Sequence, residues 1–131
     1  MRTEEQDHRL LAQLLDSLGL FWFHPPNGEA TRRRGVRSRA MGAKRGVPDV
    51  WILDAPPRFP RAPGCVIELK RADGGRLSPE QREWLSRLAS AGWCASVATY
   101  DEALAYLEWL GYLGVDDLAT GPAATDPEVL P

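Results

Sequence analysis

The sequence has little cysteine: Cys65 and Cys94 are its only two among 131 residues. Two thiols are too few for a disulfide framework or for a cysteine zinc site. Each lies inside an apolar run, which favours buried free thiols in a reducing compartment. A domain of this length buries enough surface to be stable without such cross-links. We therefore expect one soluble domain in the cytoplasm.

Long hydrophobic runs are also missing. No apolar segment approaches the roughly 18 residues that a membrane-spanning helix needs. Charged residues follow Met1 closely, where a secretory signal would carry an apolar segment. These absences predict a protein that has no membrane partner and is not secreted.

Positive charge is confined to part of the chain. The formal net charge is -2, yet no Lys or Arg follows Arg87, and no acidic residue lies between positions 30 and 48. A basic patch of this kind can contact phosphates even when the net charge is mild. The alternative is a solvated surface. We expect nucleic-acid binding by the seven basic residues of this segment, which are Arg32, Arg33, Arg34, Arg37, Arg39, Lys44 and Arg45.

The apolar periodicity predicts an α/β domain with the order α-β-(α)-β-β-α-β-α. Leucines at helical spacing indicate a first helix from about Thr3 to Gly19, and Ser78 and Thr99 begin two further helices with capping boxes. The short helix in parentheses is expected over 32–41. The strands are expected at 20–24, 47–53, 65–69 and 93–98. Residues 1–113 then form one domain, and the acidic, proline-containing residues 114–131 form a loose tail.

Two carboxylates stand at the ends of neighbouring predicted strands. Asp49 enters one strand, and Glu68 shares a face with Lys70 near the end of the next. Carboxylates about 4 Å apart repel by roughly 4 kcal/mol at an effective dielectric near 20, so such a pair shares a proton or recruits a cation. Oxygen ligands suit Mg²⁺ or Mn²⁺, and a nearby lysine can stabilise charge on a phosphate. Each motif alone is frequent by chance, and Glu68 and Lys70 alone favour a salt pair at a strand edge.

Three segments together resemble a known family. They are GVPD at 46–49, IELK at 67–70 and LSPEQ at 77–81, and the combination resembles the VRR-NUC domain of the PD-(D/E)XK nuclease superfamily over residues 3–111. The resemblance implies a restriction-endonuclease-like core, in which a mixed sheet is flanked by helices and DNA is cut with a divalent metal. It implies that Asp49, Glu68 and the backbone carbonyl of Leu69 hold the metal and that Lys70 assists the attacking water.

The resemblance also implies two supporting residues. A glutamate of the first helix is matched by Glu4 or Glu5, and the stripe through positions 4, 8, 11, 15 and 18 favours Glu4. The alternative for Glu4 is a carboxylate that stabilises the helix N-terminus. Gln81 matches a glutamine that points to the attacking water or the scissile phosphate. Its alternative is to close the capping box that Ser78 opens.

The remaining candidates favour structural roles. His8 stands where the family leads us to expect glutamine, and His24 ends a predicted strand; either could contact phosphate, but a satisfied structural histidine is the favoured interpretation. The five tryptophans are expected in the core or an interface rather than as base-stacking platforms.

The favoured function is a Mg²⁺- or Mn²⁺-dependent DNA endonuclease that acts on branched or otherwise structured DNA, as stand-alone members of the resembled family do. The alternative is a DNA-binding module that has kept the fold and lost the activity. A third interpretation is a metal-free structural or interaction domain. Because the domain has no added DNA-reading module, we expect it to work as a homo-oligomer or beside a helicase or other replication protein.

Overall fold

A computed structural model describes residues 2–26, 41–42, 44–71 and 75–114. They form three helices and four strands. The helices are α1 (Glu4–Ser17), α2 (Pro79–Ser90) and α3 (Tyr100–Leu110), and the strands are β1 (Trp22–Phe23), β2 (Val50–Ile52), β3 (Cys65–Leu69) and β4 (Cys94–Ala98). The helix expected over 32–41, the five arginines at 32–39 and residues 115–131 of the expected tail lie outside the described residues, apart from Met41 in a turn.

The four strands form one mixed sheet in the order β1-β2-β3-β4. β2 pairs antiparallel with β1 and with β3, whereas β3 and β4 are parallel and are joined through α2. The register pairs Val50 with Ile67, so the next positions outward are Asp49 and Glu68. The predicted mixed sheet flanked by helices is confirmed, and its hairpin geometry brings the two carboxylates to one end of the sheet.

Each helix begins at a residue that the sequence marks. Thr3, Ser78 and Thr99 are the N-caps, and each forms a complete capping box with the residue three positions later. A cap of this type contributes about 1 kcal/mol, because it satisfies N–H groups that the helix leaves unpaired. The starts of the three helices are therefore confirmed.

The main core lies on one face of the sheet. Leucines of α1 and α3 pack there against alternate residues of β2 and β3, and the buried members include Leu11, Leu15, Val50, Ile52, Ile67, Leu69, Leu107 and Leu110. Strand alternation directs Trp51, Val66 and Glu68 to the opposite face. α2 covers that second face, since Trp84 contacts Trp51 and Gln81 bonds to Glu68.

Two details of the local structure differ from what an apolar pattern alone indicates. α2 has no fully buried residue: Trp84, Leu85 and Leu88 are half-buried, and Ala89 is exposed. The reason is that α2 rests on tryptophans and on β4, a half-exposed strand at the end of the sheet. The strands β1 and β2 are also shorter than the apolar runs that predicted them: β1 ends before Pro25 and Pro26, and β2 begins after Pro48, whose nitrogen cannot donate to a sheet.

Within the described ranges, no helix has the length and apolar character needed to cross a membrane.

Candidate active site at one end of the sheet

Asp49 is held in place through both its side chain and its backbone. Its Oδ2 accepts a hydrogen bond from the backbone N–H of Leu69 at 2.9 Å. Its carbonyl oxygen lies 2.6 Å from Nδ1 of His24, and because a carbonyl oxygen only accepts, Nδ1 is the donor of this hydrogen bond. The link between β2 and β3 therefore fixes the carboxylate at the end of the sheet, beside Glu68.

Glu68 is a buried carboxyl group, with 6% of its surface exposed. Its Oε2 accepts a hydrogen bond from Nε2 of Gln81 at 3.1 Å, whereas its Oε1 is buried without a hydrogen-bond partner. Burial, together with the nearby negative charges of Asp49 and Glu4, raises the pKa of Glu68 to about 9. Glu68 thus keeps its proton at neutral pH unless a cation compensates its charge.

Gln81 fulfils both roles that the sequence left as alternatives. Its Oε1 accepts the backbone N–H of Ser78 at 2.7 Å, and its own N–H donates to Oγ of Ser78 at 3.1 Å, which closes the capping box. Because the oxygen of the amide is used in this way, the amide nitrogen is directed at Glu68. The cap of α2 is thus also the device that orients Gln81 toward the carboxylates.

The loop before Asp49 is packed tightly on the start of α2. Gly46 adopts φ +80°, and a Cβ at this position would lie 2.6 Å from the backbone carbon of Glu80 and 2.7 Å from the nitrogen of Gln81. Only glycine fits both the backbone conformation and the space. The loop that carries Asp49 and the helix that carries Gln81 therefore form one unit.

A cavity of about 460 Å³ opens beside Asp49, and residues of the first turns of α1 line it. Glu4 lines this cavity, and its charge acts on both Glu68 and His8. Glu5 also borders the cavity, but it forms an ion pair with Arg9 at 3.0 Å. The surroundings of the two glutamates favour Glu4 as the carboxylate that α1 brings to this site.

The two histidines of the sequence meet at the same cavity. Their ring centroids are 4.2 Å apart in an edge-to-face arrangement. Burial lowers the pKa of His8, and the charge of His24 lowers it further, while Asp49 and Glu4 act in the opposite direction. Their pairing has no local signal in the sequence, because 16 positions separate them, and the hydrogen bond from His24 to Asp49 spans 25. This contact gives His24 the structural role that we expected.

Lys70 continues the line of β3 beyond its last residue. Its N–H donates to the carbonyl of Ala98 at 2.8 Å, so the chain remains extended and the side chain falls on the same face as that of Glu68. Lys70 is partly exposed, and Leu69 lines the cavity beside Asp49. Over the described residues, no group of three or more His, Cys, Asp or Glu side chains is placed to hold a metal. The site instead offers two carboxylates beside a backbone segment.

The VRR-NUC domain family matches residues 6–101 of the sequence. The chain belongs to the VRR-NUC family. A solved structure described as a VRR_NUC domain protein superposes with a TM-score of 0.67 over 87% of this chain and 92% of that chain, at 24% sequence identity. A comparison with curated proteins finds no match. The nuclease-like fold inferred from the three sequence segments is thereby confirmed.

Two of the seven basic residues expected to bind DNA belong to the described part of this VRR-NUC domain. Lys44 and Arg45 are exposed and lie directly before Gly46. They therefore stand at the first turns of α2, next to the loop that leads to Asp49.

Glu68→Gln should stabilise the VRR-NUC domain at pH 8 by roughly 1–3 kcal/mol, because at this pH the buried acid must keep a proton that the unfolded chain would release, whereas an amide has no proton to release. Between the ordinary pKa of 4.5 and the raised value of about 9, folded Glu68 holds a proton that the unfolded chain releases. The contribution of Glu68 to the free energy of unfolding of the parent is therefore highest below pH 4.5 and is lost as the pH rises through 9. An amide carries no such penalty.

Thermal denaturation of both proteins at pH 5 and pH 8 measures this effect. The melting temperature of the variant should exceed that of the parent by several degrees at pH 8 and by much less at pH 5. Glu83→Gln is the matched control, since Glu83 is an exposed residue of α2. An equal shift at both pH values would contradict the assigned pKa.

Proposed function

We propose that this VRR-NUC domain hydrolyses phosphodiester bonds in DNA with Mg²⁺ or Mn²⁺, and that its substrate is branched or otherwise structured DNA. The observation that carries the proposal is the buried Glu68, which has one unpartnered carboxylate oxygen and lies beside Asp49. Such a pair is costly unless a cation or a proton compensates it. A site that serves only stability has no reason to keep it.

The residues fit a divalent metal. Carboxylate and carbonyl oxygens are the ligands that Mg²⁺ and Mn²⁺ prefer, and the unpartnered Oε1 of Glu68 provides such an oxygen. Asp49, Glu68 and the carbonyl of Leu69 would hold the ion, with Glu4 bordering the same cavity. When bound, it would polarise a phosphate oxygen and make water more acidic.

The side chains around this pair divide the remaining work. Lys70 places a positive charge on the face of Glu68, where it stabilises charge that develops on the phosphate and orients the attacking water. The amide nitrogen of Gln81 has two hydrogens, of which one is donated to Glu68 and the second can be donated to the water or a phosphate oxygen. Because its oxygen is held by Ser78, this donor is oriented before substrate binds.

DNA is the partner that the charges favour. Lys44 and Arg45 provide exposed cations next to α2, and the five arginines at 32–39 extend the basic segment in sequence. Cations of this type neutralise phosphates irrespective of base sequence. Since phosphate contacts carry no base-sequence information, DNA shape or a second protein would select the substrate, and that protein is either another copy of this chain or a helicase or other replication protein.

The test is a cleavage assay with single-stranded, duplex, flap and four-way DNA, each with Mg²⁺, Mn²⁺, Ca²⁺ or EDTA. Cleavage should occur with Mg²⁺ or Mn²⁺, be most efficient on flap or four-way DNA, and be weak with Ca²⁺, which binds in looser geometry and acidifies water less. Cleavage by pure protein in EDTA would disprove the metal dependence. DNA binding without cleavage under every condition would show that the domain is an inactive DNA-binding module rather than a nuclease.

A further inference from the structure

A second cavity, of about 510 Å³, lies between α2 and the turn before Gly46, and neither Asp49 nor Glu68 lines it. Its apolar lining includes Trp84 and Leu88, and three cations, Lys44, Arg45 and Arg87, border it together with two glutamates of α2. An aromatic surface among cations is the combination that binds a nucleobase through stacking and the attached phosphate through charge.

The indole of Trp84 is held in a fixed orientation. Its Nε1 donates to the carbonyl oxygen of Arg45 at 3.0 Å, and Trp51 meets it edge-to-face with ring centroids 6.2 Å apart. The ring is nevertheless half-exposed and borders the cavity. A rigid aromatic ring binds a base with little loss of side-chain entropy. Trp84 is therefore suited to act as a stacking platform.

The charges around Trp84 favour an anionic ligand. Arg87 pairs with Glu83 at 3.3 Å, but both side chains are largely exposed, at 81% and 65%, so this pair is weak. Lys44 and Arg45 extend into solvent from the opposite wall. A neutral aromatic ligand would make no use of these cations, whereas a nucleotide uses both them and the indole.

The cavity adjoins the candidate active site. Trp84 lies three residues after Gln81, which is about 4.5 Å along the helix axis. Gln81 contacts Glu68, and Gly46 packs on the same first turn of α2. A DNA strand with a phosphate at Glu68 therefore passes close to Trp84.

The geometry points to a binding site for one unpaired nucleotide of the DNA strand next to the scissile phosphate. Its base stacks on Trp84, and its phosphate contacts Lys44 and Arg45. This inference rests on the proposed nuclease function and deepens it. A base within a duplex is already stacked on both faces, so only an unpaired nucleotide can enter. The cavity thus supplies a physical reason for acting at branches and flaps.

The test is the affinity of a fluorescent oligothymidine for the full chain in EDTA, where no metal-dependent cleavage occurs. Trp84→Leu should weaken binding about 5- to 100-fold, the range for loss of one stacked base. Trp84→Phe should stay close to the parent, because it retains an aromatic ring. Trp109→Phe is the matched control and should leave the affinity unchanged. Trp109 lies in α3 and packs on Tyr106 of the same helix and on Phe59 of the loop before β3, and its buried Nε1 has no hydrogen-bond partner to lose.

Oligonucleotides with one abasic position, moved along the strand, provide a second measurement on the unaltered protein. One abasic position should weaken binding to the parent, and this effect should vanish in Trp84→Leu. Duplex affinity shows that the variant is folded. A flat abasic scan, or a folded Trp84→Leu variant that binds the oligothymidine like the parent, would overturn the stacking site. These binding measurements need no cleavage. Failure of the stacking site is therefore distinguishable from failure of the proposed nuclease function, which the cleavage assay with different metals tests.

Discussion

Asp49→Asn should reduce DNA cleavage by about a thousand-fold or more while DNA binding is retained or strengthened. The side chain keeps its size and loses the charge that would hold a divalent metal. A bound metal contributes several kcal/mol to stabilising the transition state, and each 1.36 kcal/mol corresponds to a factor of ten in rate. Binding should survive, because removing a negative charge lowers the repulsion of phosphate.

The local structure should tolerate Asp49→Asn. Asp49 accepts the N–H of Leu69 through Oδ2, and an amide oxygen can accept the same hydrogen bond. The charge of Asp49 is also one cause of the raised pKa of Glu68, so the substitution should lower that pKa. Single-turnover cleavage measures the rate of the chemical step, and a calorimetric titration with Mn²⁺ on the same samples measures metal affinity. Together they show whether Asp49→Asn weakens metal binding, slows the chemical step, or does both.

Asp54→Asn is the matched control for Asp49→Asn. Asp54 lies beyond the other end of β2, and its Oδ2 likewise accepts a backbone N–H, that of Phe21, at 2.8 Å. It should leave cleavage unchanged. If Asp49→Asn cuts like the parent, or if the parent binds neither Mg²⁺ nor Mn²⁺ with DNA present, the catalytic assignment fails and the domain is a binding module.

The elements that the sequence predicts well are those with local signals. The capping boxes at Thr3, Ser78 and Thr99 depend on residues three positions apart, so the helix starts are readable without knowledge of the fold. The strand over residues 65–69 is an apolar run interrupted only by Glu68, and it is bounded by Gly64 and Lys70. The hairpin register that brings Asp49 beside Glu68 follows from pairing these strands.

Features that depend on distant contacts are not readable in the same way. The hydrogen bond between His24 and Asp49 joins residues 25 positions apart, and the contact of Trp84 in α2 with Trp51 in β2 joins residues 33 positions apart. The apolar pattern also overestimates the length of β2. The pattern reports only which residues are hydrophobic, whereas a strand extends only where backbone N–H groups can pair with a neighbouring strand.

Gln81 shows why local and functional interpretations need not compete. Its oxygen belongs to the capping box and its nitrogen to Glu68, so one side chain stabilises α2 and orients a donor at the site. Glu68 shows the opposite relation. Its buried, unpaired oxygen costs stability, which is the kind of local conflict that proteins tolerate at functional sites.

Lys70→Ala should reduce the rate of cleavage by about 10²–10³, the effect of removing one preorganised electrostatic contact to the transition state. Unlike Asp49→Asn, it should leave metal binding intact, because both carboxylates remain and no ligand is lost. Fold and stability should also be preserved: Lys70 pairs with Ala98 through its backbone N–H, which alanine retains, and its side chain is partly exposed.

The decisive comparison for Lys70 separates the effect of its charge from that of its size. Lys70→Arg keeps the positive charge and should retain part of the activity that Lys70→Ala loses. Arg61→Ala removes an exposed cation from the loop at the opposite end of β3 and should leave the cleavage rate unchanged. Single-turnover rates at saturating Mn²⁺ remove differences in metal occupancy. Loss of Mn²⁺ binding in Lys70→Ala would show that Lys70 supports the metal site rather than the reacting phosphate. An unchanged rate would mean that the charge of Lys70 does not stabilise the transition state, since a preorganised charge that does so cannot be removed without a loss of rate.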